Sequence, residues 1–519
     1  MQDKQENKDI KRDEEQNQAE TSDTKENQQA TEELSSEDDS DNGIELSNIF
    51  NSDIEAAGRD IIKIGKVVTI LQNDLKELAR VRDIPPPAPL DVSSQEKVNQ
   101  WFAHKHTSDR DKFFAITLSI FDGLKYPDFR DVYEIILHVM DVTDIEEEKK
   151  SHSLFDVADD ELLESLGVEI VHTNDGLEEI IRFKQETYAT AIFDLMRRRY
   201  RSIFLDLLLA LKQIVEKHHY WEIRYRAAMA VAEIGKLGFY RMRSQVLESW
   251  ARDKHSYVRA AVGYPLAQLA KDKNYRASVK QLLVDWISNN STDARYYRWT
   301  VASVYKQIGL IKEDWAREWV YDGLKKIASF SNVSDSVAHT LVVLSLQGQL
   351  ENILYELKHW VEQKDGSDEN EEPIQNQYVV AILTLWLLSA IYIELANKQE
   401  EVSEIGPEDN NLFDLVQRSE TQKGVVWQLI VAAGGRAFKL DQIYQFFTLV
   451  EYWNNYSIQN SRWKDTLGNL LVDIFVATKL PRDREHFWNI LNLWQRQKDD
   501  PELVKLAIMA KAKIKERIL

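Results

Sequence analysis

The sequence predicts a mostly all-α chain: a solenoid of stacked helix pairs, preceded by a small helical domain with one β-hairpin and a disordered acidic N-terminal tail. Three observations carry that expectation. The first is a repeated ruler. Ile223, Val258 and Tyr297 are each followed by apolar or small residues at +4, +7, +8 and +11. These are Ala227, Ala230, Val231 and Ile234, then Val262, Pro265, Leu266 and Leu269, then Val301, Val304, Tyr305 and Ile308. The anchors stand 35 and 39 residues apart. A 3.6-period stripe returning at that interval marks helical repeats, which bury a core only by stacking. The second observation is a hairpin signal, with VEIVH and LEEIIRF on either side of an Asp175-Gly176 turn. The third is composition. Residues 1–43 are Glu, Gln, Asn, Asp, Ser and Lys with almost no apolar side chains, too few to offset the entropy of ordering.

The remaining elements follow in order. Residues 44–90 read as an amphipathic segment, a short strand then a helix, ending in a stiff break at Pro85, Pro86, Pro87 and Pro89. Residues 91–215 read as a winged-helix-like domain. Its helices at 111–121, around DVYEIILHVM and at 159–166 precede the hairpin, and one long helix is expected over 187–215. Residues 216–362 hold HEAT-like repeats, whose second helices are expected near 240–252, 275–288 and 314–328. Trp250 and Trp286 occupy equivalent places there, and a degenerate fourth unit is expected over 335–362. Acidic linkers at 363–373 and 397–411 flank an apolar helix, together making a 363–411 region. Residues 412–519 return to helices with scattered Trp.

Charge is unevenly spread. The chain of 519 residues carries 86 Asp+Glu against 65 Lys+Arg, a net of −21. Residues 1–50 hold 16 acidic and 5 basic side chains, whereas residues 195–330 hold 25 basic and 13 acidic ones. A basic segment inside an acidic protein says more about partners than the average does. There is no cysteine, which excludes disulfides, thiol nucleophiles and Cys-ligated zinc. The N-terminus has no apolar core of the kind a secretory signal needs. A cytoplasmic setting is the expectation.

Arginines dominate the basic segment. Arg224, Arg259 and Arg298 sit one residue after each ruler anchor, preceded by Glu222, Asp253 and Asp293. In-phase arginines of this kind are expected to form a structural ladder between repeats. Arg226, Arg241, Arg243, Arg252, Arg276, Arg295 and Arg317 are out of phase. They are the candidate partner-binding surface, facing an acidic protein, phosphates, or the chain's own tail 1–43 across a Debye length of about 8 Å.

Catalytic and cofactor patterns are not found. The stretch from Gly58 to Val67 spaces its glycines wrongly for a phosphate loop and has Val67 where Ser or Thr would hold Mg²⁺. Gly434-Gly435-Arg436 stands alone. His104 with His106, and His218 with His219, lack metal-ligand spacing. A DNA-reading wing is disfavoured, because Asp159, Asp160, Glu161 and Glu164 occupy the recognition helix and would repel phosphates. Arg197, Arg198, Arg199 and Arg201 lie beyond the wing. The uncharged run 378–393 is short of the ~20 residues a membrane span needs. It reads as a buried solenoid helix, with membrane contact expected only if it were released.

Three stretches together resemble a known family. FFAITLSIFDGLKYPDFRDVYEIIL, then LFDVADDELLESLGVEIV with EEIIRFKQETYATAIFDLMRRRYR, then YWEIRYRAAMAVAEIG resemble the region after the nucleotide-binding module of bacterial STAND-type signalling NTPases. The resemblance covers about residues 50–330. It implies a winged-helix-like domain leading into a HEAT-like array, and a sensor or scaffold arm in prokaryotic signalling or antiviral defence. The P-loop core of that family is not seen, so no ATP-binding residue carries over. The functional expectation is a non-enzymatic scaffold or regulator, without cofactor, that binds a protein partner. Two alternatives stay open: a defence component controlled by cleavage within 363–411, and a nucleic-acid-binding solenoid.

Overall fold

The computed structural model describes residues 71, 73–81, 88–104, 107–141, 160–173, 178–362, 371–398, 412–440, 442–456 and 461–518. The expectations for the tail 1–43, the strand before residue 71, the Gly58–Val67 stretch, Pro85–Pro87, the hairpin tip and most of both acidic linkers fall outside these residues.

Helix α1 is described over residues 73–81, with Leu71 helical as well. The winged-helix-like body begins at α2 (Val92–Ala103), where the Asp91 carboxylate accepts from the amides of Ser93 and Ser94. Helix α3 (Asp109–Phe121) opens on a reciprocal Ser108–Asp111 capping box, which satisfies amides that a helix start leaves unpaired. Then come α4 (Tyr126–Val139), α5 (Asp160–Leu166), β1 (Val168–His172) and β2 (Glu179–Phe183). The strands are antiparallel, with Val168 opposite Phe183 and His172 opposite Glu179. Lys125 bridges to Ile180, giving the hairpin a short third member between α3 and α4. Helices followed by one hairpin is the winged-helix order that the sequence predicts, and the structure adds the bridge. Its core is aromatic: Phe114 lies 5.3 Å from Phe129 and 5.5 Å from Tyr133, edge to face.

The long helix expected over 187–215 is interrupted. It divides into α6 (Thr187–Arg199), a 3₁₀ turn Arg201–Ile203, and α7 (Phe204–Lys217). The break falls at Tyr200, with φ −117° and ψ 40°. There the ring turns toward Phe102, 5.9 Å away. Tertiary packing overrides local helix preference at this point.

The repeats begin at α8 (Trp221–Gly235) and α9 (residues 239–251, with a π turn at Arg243–Leu247). The second ruler helix is broken into α10 (Ser256–Ala261) and α11 (Gly263–Lys271). Pro265 explains the break, since it has no N–H to bond Ala261 and its ring crowds that carbonyl. Next are α12 (Lys273–Ile287), α13 (Ala294–Gly309), α14 (Asp314–Ile327), α15 (Ser334–Leu344) and α16 (Leu350–Glu362). All fifteen ruler residues are buried, as are Trp250 and Trp286. A fully buried Val or Leu contributes roughly 1.5–3 kcal/mol, so the stripe is the main source of cohesion.

The first helices of successive pairs form a row: α8 packs on α11, α11 on α13, and α13 on α15. The row continues through α17 (Glu371–Lys398), which packs on α15 and α16. Within α17, Tyr378, Val380, Ala381, Leu385, Trp386 and Leu388 are at most 3% exposed. The stretch Pro373–Ile393 is long and apolar enough to cross a membrane, and 83% of its most apolar window is buried in the protein. Beyond it, α18 (Leu412–Gln422), α19 (Val425–Ala437), α20 (Ile443–Tyr456), α21 (Ser461–Ala477), α22 (Pro481–Arg496) and α23 (Pro501–Ile518) complete the chain. Here α16 packs on α19, α19 on α21, and α21 on α23. Close approach in the repeats depends on Gly323, where a Cβ would overlap the ring of Tyr305.

Candidate functional site

The in-phase arginines are bound differently from the carboxylate pairing that their neighbours suggest. Arg259 is 3% exposed and donates from Nη1 to the carbonyl of Asp253 at 2.7 Å. Its guanidinium lies 4.9 Å from the Tyr296 ring and 4.6 Å from the Trp299 ring, both on α13. Arg298 donates to the carbonyls of Ile287 and Asn289 at 3.1 and 2.9 Å and covers Phe330 at 3.6 Å. Arg224 donates to the carbonyls of His219 and His218 at 2.6 and 3.4 Å and lies over Tyr257 at 4.8 Å. Each arginine therefore grips main chain just before its own helix and rests on an aromatic ring of the next repeat. The forked, planar guanidinium can do both at once.

Three of the seven arginines of the proposed basic surface are engaged within the chain. Arg276 repeats the strut arrangement, donating to the carbonyl of Ala270 at 3.0 Å and stacking 3.7 Å over Trp315. Arg226 holds Glu222 at 2.8 Å and the carbonyl of Asp122 at 2.6 Å, fastening α8 to the winged-helix-like body. Arg243 holds Glu248 at 2.7 Å and Asp285 at 3.5 Å. These three are corrections to the expected partner surface, because their guanidinium groups already have acceptors. Arg241, Arg252, Arg295 and Arg317 are exposed, as expected, with Arg317 3.9 Å from Asp314. The Arg197 and Arg198 pair binds Asp194 at 3.1 and 2.7 Å. Gly434 and Gly435 lie inside α19, where Gly434 gives room to Ile474 and Phe446. No cluster able to hold a metal occurs among the described residues.

A different site emerges on the row. Tyr225 on α8, Tyr264 on α11 and Lys306 on α13 fall at ruler positions +2, +6 and +9. At 100° per residue these positions lie roughly opposite the core stripe. Tyr225 and Tyr264 meet edge to face at 5.0 Å. Lys306 Nζ lies 2.5 Å from Asp74 Oδ2, and His339 Nε2 on α15 lies 3.5 Å from the same oxygen. Asp74 belongs to α1, so a helix 232 residues away in sequence from Lys306 rests on this face. Its Leu71, Leu75 and Leu78 side of the segment is buried at 0%, 7% and 6% exposure, while Asn73, Lys76, Ala79 and Arg80 face solvent.

The electrostatics of this seat are tightly coupled. Burial alone would raise the Asp74 carboxyl, but Lys306 and His339 offset it and leave it below the ordinary carboxylate range. Burial pushes Glu77 up, as does Asp74, against the pull of Arg224 and Lys306. Burial depresses His339 to about 4, with Asp74 opposing and Lys306 reinforcing. Burial raises the Tyr264 hydroxyl well above its ordinary value, and the carboxylates of Glu77 and Asp74 raise it further. The seat therefore holds a carboxylate, a cation, a neutral imidazole and a neutral phenol. It has no nucleophile–base pair. Nothing in the ruler announced it, since the +2, +6, +9 stripe is aromatic and cationic and reads as solvated surface until α1 covers it.

No protein-family model and no curated protein sequence matches the chain. Among solved structures, the chain is similar to a crystal structure of importin beta in an ammonium sulfate condition. The identity is 9% and the TM-score 0.19, with 88% of this chain and 67% of that chain covered. A likeness at that score carries no argument about function.

Proposed function

We propose that the protein is a non-enzymatic helical-repeat scaffold that binds a protein partner through the face formed by α8, α11, α13 and α15. One observation supports this above the rest: Asp74 of a separate helix, whose leucines are buried, meets Lys306 and His339 on that face. Helix-in-groove reception is a recurring mode of protein recognition. Arg226, Arg243 and Arg276 are engaged by internal acceptors, which leaves only part of the predicted basic surface for phosphates. A role in prokaryotic signalling or defence rests on the sequence resemblance alone.

Crosslinking mass spectrometry in native lysate is the test. Crosslinks from one partner protein converging on residues of α8, α11, α13 and α15 are the expected result. Crosslinks confined to other faces would overturn the assignment of the face. RNA or DNA binding that tightens steeply at low salt, with no protein partner, would replace the reading with nucleic-acid binding.

A further inference from the structure

We infer that α1 is an internal stand-in for the partner: the seat made by Tyr225, Tyr264, Lys306 and His339 takes an acidic amphipathic helix, apolar at i, i+4 and i+7 with a carboxylate at i+3, and α1 must leave before that helix enters. This rests on the protein-binding reading above and specifies its partner and its control.

The first support is the pattern of the α1 segment. Leu71, Leu75 and Leu78 are buried, and Asp74 between them meets Lys306 of the seat. The second support is a mismatch. His339 Nε2 is buried and makes no hydrogen bond, although Asp74 Oδ2 lies 3.5 Å away. Asp74 gives its short bond to Lys306 and leaves the imidazole unserved. A carboxylate on a longer stem, as in Glu, could reach both. Leaving a buried polar group unpaired costs about 1–3 kcal/mol, so a helix that satisfied it would outcompete α1 for the same seat.

The third support is the attachment. Six residues, 82–87, separate Val81 from Ala88, whose carbonyl accepts from Thr190 Oγ1 at 2.8 Å. A short tether keeps α1 at an effective concentration on the order of millimolar. The seat is therefore occupied by default, and a partner must bind better per contact to displace it.

The test uses the full chain and a fluorescent peptide spanning residues 68–84. Leu75→Asp with Leu78→Asp unseats α1, and Lys306→Glu weakens its seating by a second route. The peptide is expected to bind the Leu75→Asp, Leu78→Asp chain roughly 10²–10³-fold more tightly than the unaltered chain. A peptide carrying Asp74→Glu should bind that variant more tightly still. A peptide carrying Asp74→Lys should bind only the Lys306→Glu chain. Equal binding to altered and unaltered chains would overturn the inference. So would no binding to an unseated chain whose α8–α15 amides stay protected from exchange. Loss of protection throughout the repeats on unseating would make α1 a structural part, which also overturns it. A partner whose binding the peptide does not compete would sink the inference and leave the scaffold reading standing.

Discussion

One buried and one half-buried cation in the repeats solve the same problem with different partners. Arg259 spends its charge on a backbone carbonyl and two aromatic rings of neighbouring repeats. Lys306 spends its charge on Asp74, a carboxylate carried by a tethered helix. The carbonyl and the rings that hold Arg259 belong to the repeats themselves and cannot leave. The acceptor of Lys306 can. The comparison separates a permanent joint from an exchangeable one, although both look like arginine- or lysine-rich helix surface in the sequence.

The largest expected effect breaks the permanent joint. Arg259→Ala should lower the stability of the repeats by about 3 kcal/mol, because it strands a buried carbonyl and empties space between rings. The urea midpoint reads it. Arg259→Lys should recover little, since an ammonium has neither the fork nor the flat face. A loss below about 1 kcal/mol would place the cohesion in the apolar stripe alone.

The next effect belongs to the exchangeable joint and depends on pH. Seated against α1, His339 titrates near 4, whereas an imidazole in water titrates near 6.5. A group whose value is depressed in the seated state takes up its proton first in the unseated state. Seating should therefore weaken as pH falls from about 6.5 toward 4, by about 2 kcal/mol between pH 7 and pH 5. Asp74 is also depressed and adds its own loss below the ordinary carboxylate range. Glu77 is raised and works the other way. Comparing the chain with His339→Gln isolates the imidazole. Amide exchange over residues 73–81, corrected for intrinsic rate, should lose most of its pH dependence in that variant.

Smaller effects sharpen the contrast. Lys306→Ala leaves Asp74 without its cation, yet α1 can move away rather than stay buried uncompensated. The urea midpoint of the repeats should shift by less than about 1 kcal/mol while the amides of α1 exchange faster. If the whole array loosens instead, the joint is not exchangeable. Arg317→Ala, on an exposed side chain 3.9 Å from Asp314, should stay within about 0.5 kcal/mol.

The core of the repeats was legible because burial at 3.6 spacing writes itself into composition. Every ruler residue from Ile223 to Ile308 is buried. The winged-helix order was legible from the Asp-Gly turn and the helices before it. The details that escaped are those decided across distance. Tyr200 breaks a helix to meet Phe102. Arg276 looks out of phase with the ruler, yet it repeats the strut geometry on the second helix of a pair. The seat escaped for the same reason. Tyr225 and Tyr264 meet only when their helices stack, and the chemistry of Lys306 is apparent only once Asp74 meets it.

The struts also constrain how this chain can vary. Arg224, Arg259, Arg276 and Arg484 each reach a carbonyl six residues earlier, on His218, Asp253, Ala270 and Thr478. A carbonyl is the same whatever side chain its residue carries. Substitutions in these connectors are therefore tolerated so far as the strut is concerned. Length is held more closely at Arg259 and Arg276 than at Arg224, which reaches carbonyls both five and six residues back.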